Sequence, residues 1–481
     1  MAGMIRERGV ALPGWLVPIF GLGAALALGG GLWDDAWHTE RGRDSFFIAP
    51  HIAIYGGISL VGTGISLWLV LAARAVGLRT ALRTPVIALA AASVAVTLAS
   101  APVDNLWHTA FGRDAVIWSP PHVLGIVGTG SLAVAVLVDL ARSPQAWAQH
   151  AQGPVGGLLL AAFAFVVIEY ETDVPQFASV WYLPVLALAA GLVFSMVARL
   201  SSRSAPAVRA SLWHLLFIAA SAALLVAGGF DAPRVPLLVI PAAAFDLTGR
   251  SAMKLLPRSA VLAVTLLAVY APMSHVGHGL RLDLSDVLIG LPLAWAAFAI
   301  TLGTVSGRRI GPPGGSLLPT ALLLVLLLPA SAPAHDPGQG ADAGSIDLRI
   351  ETAGGLARVT ARSTDVTLEP VGIIARRAGV TRRASLRQPR PGTFSGQVRL
   401  GTAGRWFVYL DLRRPDGQVI EAWLPVEGAG ADTVAEPRRF AYVVPRKPSS
   451  SVKWLVGGLL YLLVIGFLAY VVGLVRRTAG R

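Results

Sequence analysis

The chain has 481 residues, of which 54% are hydrophobic, 14% are charged and none is cysteine. That balance is far from an ordinary soluble protein, and the missing thiols exclude disulfides and thiolate metal sites. The formal charge of +13 falls in alternate loops rather than in one basic patch, so it reads as membrane topology and not as nucleic-acid binding.

Taken in order, Arg6 and Arg8 precede a first predicted span at about 14–33, which places the amino terminus in the cytoplasm. Asp34 follows where a signal peptide would carry a small-residue cleavage site, so this span reads as uncleaved. The second span starts at His51, has no charge from Ile52 to Ala73, and ends before Arg74, Arg79 and Arg83. The third runs near 85–103 and the fourth near 118–140. Further spans are predicted at 155–168, 179–200, 208–229, 235–247, 260–273 and 284–304, with arginines always falling on the same side. The eighth is short, contains Pro241 and carries Asp246, which suggests a broken or re-entrant helix buried within protein.

Residues 315–334 read as a signal-like membrane helix ending in Ala332-Pro-Ala334, with His335 at the potential cut. From about Ser345 to Glu427 the chain breaks into short alternating stretches punctuated by turns such as Arg414-Pro-Asp-Gly417. This predicts an antiparallel β-sandwich, followed by a Pro- and Ser-containing linker and a last span at 454–474 that ends at Arg476 and Arg477. The expected fold is therefore mainly α: a polytopic membrane bundle over 1–310, the helix at 315–334, an extracytoplasmic β domain with linker over 335–445, and a C-terminal membrane helix over 452–477. Both termini should be cytoplasmic, in the plasma membrane.

Within the bundle one unit occurs twice, over about 14–76 and 84–142. Asp34-Asp-Ala-Trp-His38 leads through Gly42-Arg-Asp44 to Pro50-His51, and Asp104-Asn-Leu-Trp-His108 leads through Gly112-Arg-Asp114 to Pro121-His122. A duplicated helix, loop and helix is the expectation, related by an axis along the membrane normal because each pair enters and leaves on one side. Asp and His four residues apart share a helix face, and the second His arrives at the start of the next helix. Two carboxylates and four imidazoles suit copper(II), zinc or iron better than copper(I). A carboxylate at a helix carboxyl end is disfavoured by roughly 0.3–1 kcal/mol, which argues for a compensating cation near Asp34 and Asp104. The competing reading makes the loops interfacial structure, with Trp37 and Trp107 as belt residues and the histidines as polar filler.

The spacing Asp, three residues, His, twelve residues, His resembles the membrane metal site of the C subunit of particulate methane and ammonia monooxygenases. Asp34, His38 and His51 match it without a gap, whereas Asp104, His108 and His122 carry one extra residue. The resemblance covers about eighteen residues per copy, and it implies copper without establishing oxygenase activity. In that family a separate subunit offers a mature amino-terminal histidine to copper from β domains on membrane helices. The chain from Leu317 onward is loosely similar, but it has no histidine after His335.

Further candidates are His275, His278 and His335, the loop acids Glu169, Glu171 and Asp173, and Asp44 and Asp114, whose first expected partners are their neighbouring arginines. Asp139 and Asp246 are expected at the cytoplasmic side, each beside an arginine, and His214 in the core. Three functions fit: metal binding, uptake or delivery, with a copper-carrier protein as partner; copper-dependent monooxygenase or oxidase chemistry, with a separate electron donor; or assembly without metal. Scarce methionine, five residues in all, argues against a copper(I) conduit.

Overall fold

A computed structural model describes residues 10–40, 47–111, 117–171, 178–234, 237–251, 253–273, 282–307, 342–377, 380–401, 404–428, 432–442 and 450–478. At 38–40, 105, 108–111, 171, 342–343, 432, 436–442 and 450 the description is of the backbone alone. Among these residues the fold is mainly helical, with ten helices long and apolar enough to cross a membrane and a separate antiparallel β domain.

The helices are α1 Leu16–Glu40, α2 Ala49–Val76, α3 Pro85–Phe111, α4 Pro120–Arg142, α5 Ala146–Ala164, α6 Tyr182–Leu200, α7 Pro206–Ala227, α8 Val239–Arg250, α9 Leu255–Met273, α10 Leu284–Ser306 and α11 Ser450–Thr478. A 3-10 turn and a short helix carry α5 on to Glu171. The bundle is built around α6, which is buried without interruption from Tyr182 to Val197. Tyr182 packs edge to face on Tyr170 and Tyr270, with ring centroids 5.2 Å apart in both pairs. The outer helices turn Leu22, Ile52, Leu98, Leu224, Leu288 and Leu459 outward, more apolar surface than a water-soluble monomer tolerates.

The predicted eighth span is α8. Its twelve residues reach only about 18 Å, and it is not among the ten long helices. Phe230 and Leu238, on the non-helical approach to it, are buried. The Asp246 carboxylate accepts the backbone N–H groups of Ala207 at 3.4 Å and Val208 at 2.9 Å, at the start of α7. Arg258, at the start of α9, donates to the Phe245 carbonyl at 3.0 Å. The end of α8 therefore meets the starts of α7 and α9, and the alternation of direction survives the break. Asp139 accepts from the Leu12 N–H at 3.0 Å, in the segment that leads into α1. Both acids hold backbone N–H groups, a role the expected arginine pairing did not include. The predicted segment 315–334 lies outside the described residues.

The β domain has nine strands: β1 Asp342–Ala353, β2 Leu356–Arg362, β3 Glu369–Arg377, β4 Val380–Ala384, β5 Leu386–Arg390, β6 Thr393–Arg399, β7 Arg405–Arg413, β8 Val419–Glu427 and β9 Asp432–Tyr442. They are ordered β4-β3-β7-β8-β9-β1-β2-β6-β5, and neighbours are antiparallel. The sequence places a linker directly after Glu427. The structure instead puts β9 there, beside β1 in the middle of the sheet. β2 alternates between buried and exposed residues. β7 and β8 do not, because both faces are covered: Trp406, Val408 and Leu410 join the main core while Phe407, Tyr409 and Trp423 form a second cluster with Ile374. The Arg405 guanidinium reaches Asp231, in the segment after α7, at 2.7 Å.

Candidate metal site

Each repeated unit is a tight helical hairpin, and glycines set its spacing. A Cβ on Gly57 of α2 would lie 2.5 Å from the backbone N of Ala27 in α1. In the second copy the equivalent Gly128 of α4 faces Thr97 of α3, the residue equivalent to Ala27, with Oγ1 at 2.5 Å from the added atom. One turn closer to the loops the small residue changes sides: Gly30 receives Ile54 in the first hairpin, and Gly125 receives Ser100 in the second. The duplication thus extends down the helices, in positions where composition differs but the meshing is kept.

This meshing brings an aspartate and a histidine together at the loop end of each hairpin. His51 is the third residue of α2, after Pro50, and its Nε2 lies 3.0 Å from Asp34 Oδ1. His122 is the third residue of α4, after Pro120 and Pro121, and its Nε2 lies 3.2 Å from Asp104 Oδ1. Proline suits the first turn, where an N–H would have no helical partner. All four side chains are part-buried, with exposures of 18–29%. Metal bonds of about 2.0–2.2 Å put adjacent donors roughly 3 Å apart, so these spacings fit two ligands of one ion. Compared with family models, curated proteins and solved structures, the chain has no match.

α1 continues to Glu40 and α3 to Phe111, well past the predicted ends at 33 and 103. His38 and His108 therefore stand on helix, one turn beyond Asp34 and Asp104, with side chains outside the description. The same extension corrects the argument from helix ends. Asp34 and Asp104 lie more than a turn inside their helices, where the dipole effect has faded. Among the described residues no group of three or more His, Asp or Glu side chains is gathered for a metal. Asp44, Asp114, Asp173, His275, His278 and His335 lie outside the described residues, and Glu171 is described by its backbone alone.

Glu169 lies between the two copies. It is 3% exposed, accepts the Ile117 N–H at 2.8 Å through Oε1, and feels the charge of Asp35. Its Oε2 is buried without a hydrogen-bond partner among the described residues. The sequence offers Glu169 either as a carboxylate supporting the metal ligands or as a simple loop acid, and it does not single out Asp35, although the doubled acid at 34–35 is visible in the motif. His214 is buried as expected, yet its Nδ1 has no partner among the described residues.

The copies differ in what holds them. Trp118 donates from Nε1 to the Val166 carbonyl at 2.7 Å, and its own carbonyl accepts from the Tyr461 hydroxyl at 2.6 Å. Lys453 Nζ lies 5.6 Å from the Trp107 ring centre. The C-terminal helix α11 thus clamps the loop end of the second hairpin at Trp107 and Trp118. In the first copy Phe47, the counterpart of Trp118, is 77% exposed, and Trp37 packs against Trp33 and Phe230 instead. Nothing in the sequence tied α11 to either copy.

Proposed function

We propose that the chain is an integral membrane protein that binds a transition-metal ion, copper first, at the loop end of its two repeated hairpins. The contact between Asp and His in both copies, with a second His one helical turn from each Asp, is the observation that carries this reading. Asp34, His38 and His51 would hold one ion, and Asp104, His108 and His122 the other. Carboxylate and imidazole donors suit copper(II) or zinc, and three protein ligands leave a position open for an exchanging ligand. Glu169 and Asp35 place two further carboxyl groups between the copies.

The membrane orientation follows the positive-inside rule. Arg74, Arg79, Arg83, Arg199, Arg203, Arg250, Arg476 and Arg477 mark the cytoplasmic end, which leaves the hairpin loops outside with both termini inside. The β domain is then extracytoplasmic. We read it as a sandwich, since β3 also touches β5 and β6 from the opposite end of the strand order. It would act as a docking module for a carrier protein.

Metal content of the detergent-purified protein tests the reading. His51→Ala and His122→Ala should each lower bound copper by about half, and the double variant should bind almost none. Full metal content in a folded double variant refutes it. A second reading, oxidation of an apolar molecule, has one observation in its favour. An apolar cavity lined by Ala24, Leu28, Val61, Val94 and Leu132 lies between the two hairpins, a few turns below Asp34. Dioxygen consumption by the copper-loaded protein with an added reductant would separate it from binding alone.

A further inference from the structure

At the end of the bundle opposite the repeated loops, the end of α6, the starts of α7 and α9, and the ends of α8 and α10 line an open cavity of about 670 Å³. Among the described residues its wall carries four arginines, Arg199, Arg203, Arg250 and Arg258, against one acid, Asp246. That acid is already engaged by the N–H groups of Ala207 and Val208. Four guanidinium groups around one space repel each other unless an anion joins them.

Three local features show that the cavity is built. Arg258 is held in place, donating to the Phe245 carbonyl at 3.0 Å and to Thr248 Oγ1 at 3.3 Å while its guanidinium lies 4.4 Å from the Phe245 ring centre. Arg199 Nε is buried and has no hydrogen-bond partner among the described residues, a costly state for a charged donor. Ala205, also in the wall, is the one non-glycine residue among those described with positive φ, at 52°. Such backbone strain persists where the surrounding structure fixes it, often at ligand sites.

We propose that this cavity binds a phosphate-bearing anion through Arg199, Arg203, Arg250 and Arg258. Guanidinium forks match phosphate oxygens in pairs, and a phosphate group offers enough oxygens to engage several forks at once. The phosphate can belong to an anionic lipid headgroup or to a soluble molecule. Leu247 on α8 and Leu256 on α9 are 64% and 53% exposed beside the cavity, surface that acyl chains would cover, and basic pockets between membrane helices recur as headgroup sites. The proposal is independent of the metal reading.

The test is thermal unfolding and native mass spectrometry of the full chain in detergent, with inorganic phosphate, short-chain phosphatidylglycerol or short-chain phosphatidylcholine added. Stabilisation by phosphatidylglycerol with one retained lipid identifies a headgroup site, and stabilisation by inorganic phosphate identifies a soluble ligand. Either should weaken at least tenfold in Arg199→Gln/Arg203→Gln and stay unchanged in Arg79→Gln/Arg83→Gln, whose arginines do not line the cavity. Arg250→Gln, at an exposed helix end, gives a second reading if the double variant does not fold, and should weaken binding several-fold. The proposal is overturned if neither probe binds, if phosphatidylcholine binds as tightly as phosphatidylglycerol, or if the cavity variants bind as tightly as the parent.

Discussion

Gly57→Ala should destabilise the protein and pull apart the first Asp–His pair, whereas Gly56→Ala, one residue away, should do neither. A Cβ at Gly57 would sit 2.5 Å from both the Ala27 N and the Gly23 O, backbone atoms of α1 that cannot rotate away. Restoring ordinary contact requires α2 to retreat by about 1 Å, and crowding of this kind costs roughly 1–3 kcal/mol. Replacing a helical glycine returns about 0.5–1 kcal/mol; because the clash is with backbone on both atoms, the cost falls in the upper part of its range and leaves a net loss of up to ~2.5 kcal/mol. His51 is six residues from Gly57, about 9 Å along the axis. A rigid shift of that size would open its 3.0 Å contact with Asp34 to about 4 Å, too far apart for two ligands of one ion. At Gly56 nothing lies within 4 Å of the added atom, so the helical gain stands alone. Thermal unfolding and copper content of the two variants in detergent provide the comparison. A Gly57→Ala protein that melts with Gly56→Ala and keeps its full metal content would refute the idea that this glycine sets the site.

Tyr461→Phe removes the 2.6 Å hydrogen bond to the Trp118 carbonyl and should cost about 1 kcal/mol, read as a lower melting temperature. Asp246→Ala leaves the N–H groups at the start of α7 uncapped and should cost ~1–2 kcal/mol, with Asp246→Asn closer to wild type. A fragment of 342–442 should fold in solution, while one of 345–425 should not, because it lacks the central strand β9; far-ultraviolet circular dichroism and proteolysis distinguish them. Within the longer fragment, the hydroxyl and N–H of Thr367 hold the Asp365 carboxyl below its ordinary range. Its contribution to stability is therefore present above the ordinary carboxylate pKa of about 4 and lost as pH falls through the lower folded value. Thr367→Val removes the hydroxyl but keeps the backbone N–H, so it should weaken that pH dependence in an acid titration followed by NMR.

Apolar run length was enough to find the long helices, because a spanning length of helix depends on little else. The pairing of Asp34 with His51 and of Asp104 with His122 was legible for a similar reason, since repetition marks residues that act together. Helix ends were not. Polar Asp34 and Asp104 look like stops, but the helices run on to Glu40 and Phe111, because helix continuity depends on backbone pairing rather than on apolar side chains. β9 was hidden by its own chemistry. Glu436, Pro437, Arg438 and Arg439 read as linker, yet the backbone pairs with β1 through Ile346 and Leu348. Glu169 and the arginine cavity depend on contacts between distant helices, which no local pattern encodes.

The pairing of β1 with β9 also decides how the β domain would respond to tension. Asp342, near the start of β1, lies opposite Ala441, near the end of β9, so the two chain connections leave the sheet side by side. A force that separated them would open the β1–β9 ladder from that end, one hydrogen bond after another, instead of shearing all the bonds together. The domain is thus fastened like a zip with its open end toward its attachments. A cut through the chain before β1 would remove the pull, and the domain would stay joined to α11 through β9.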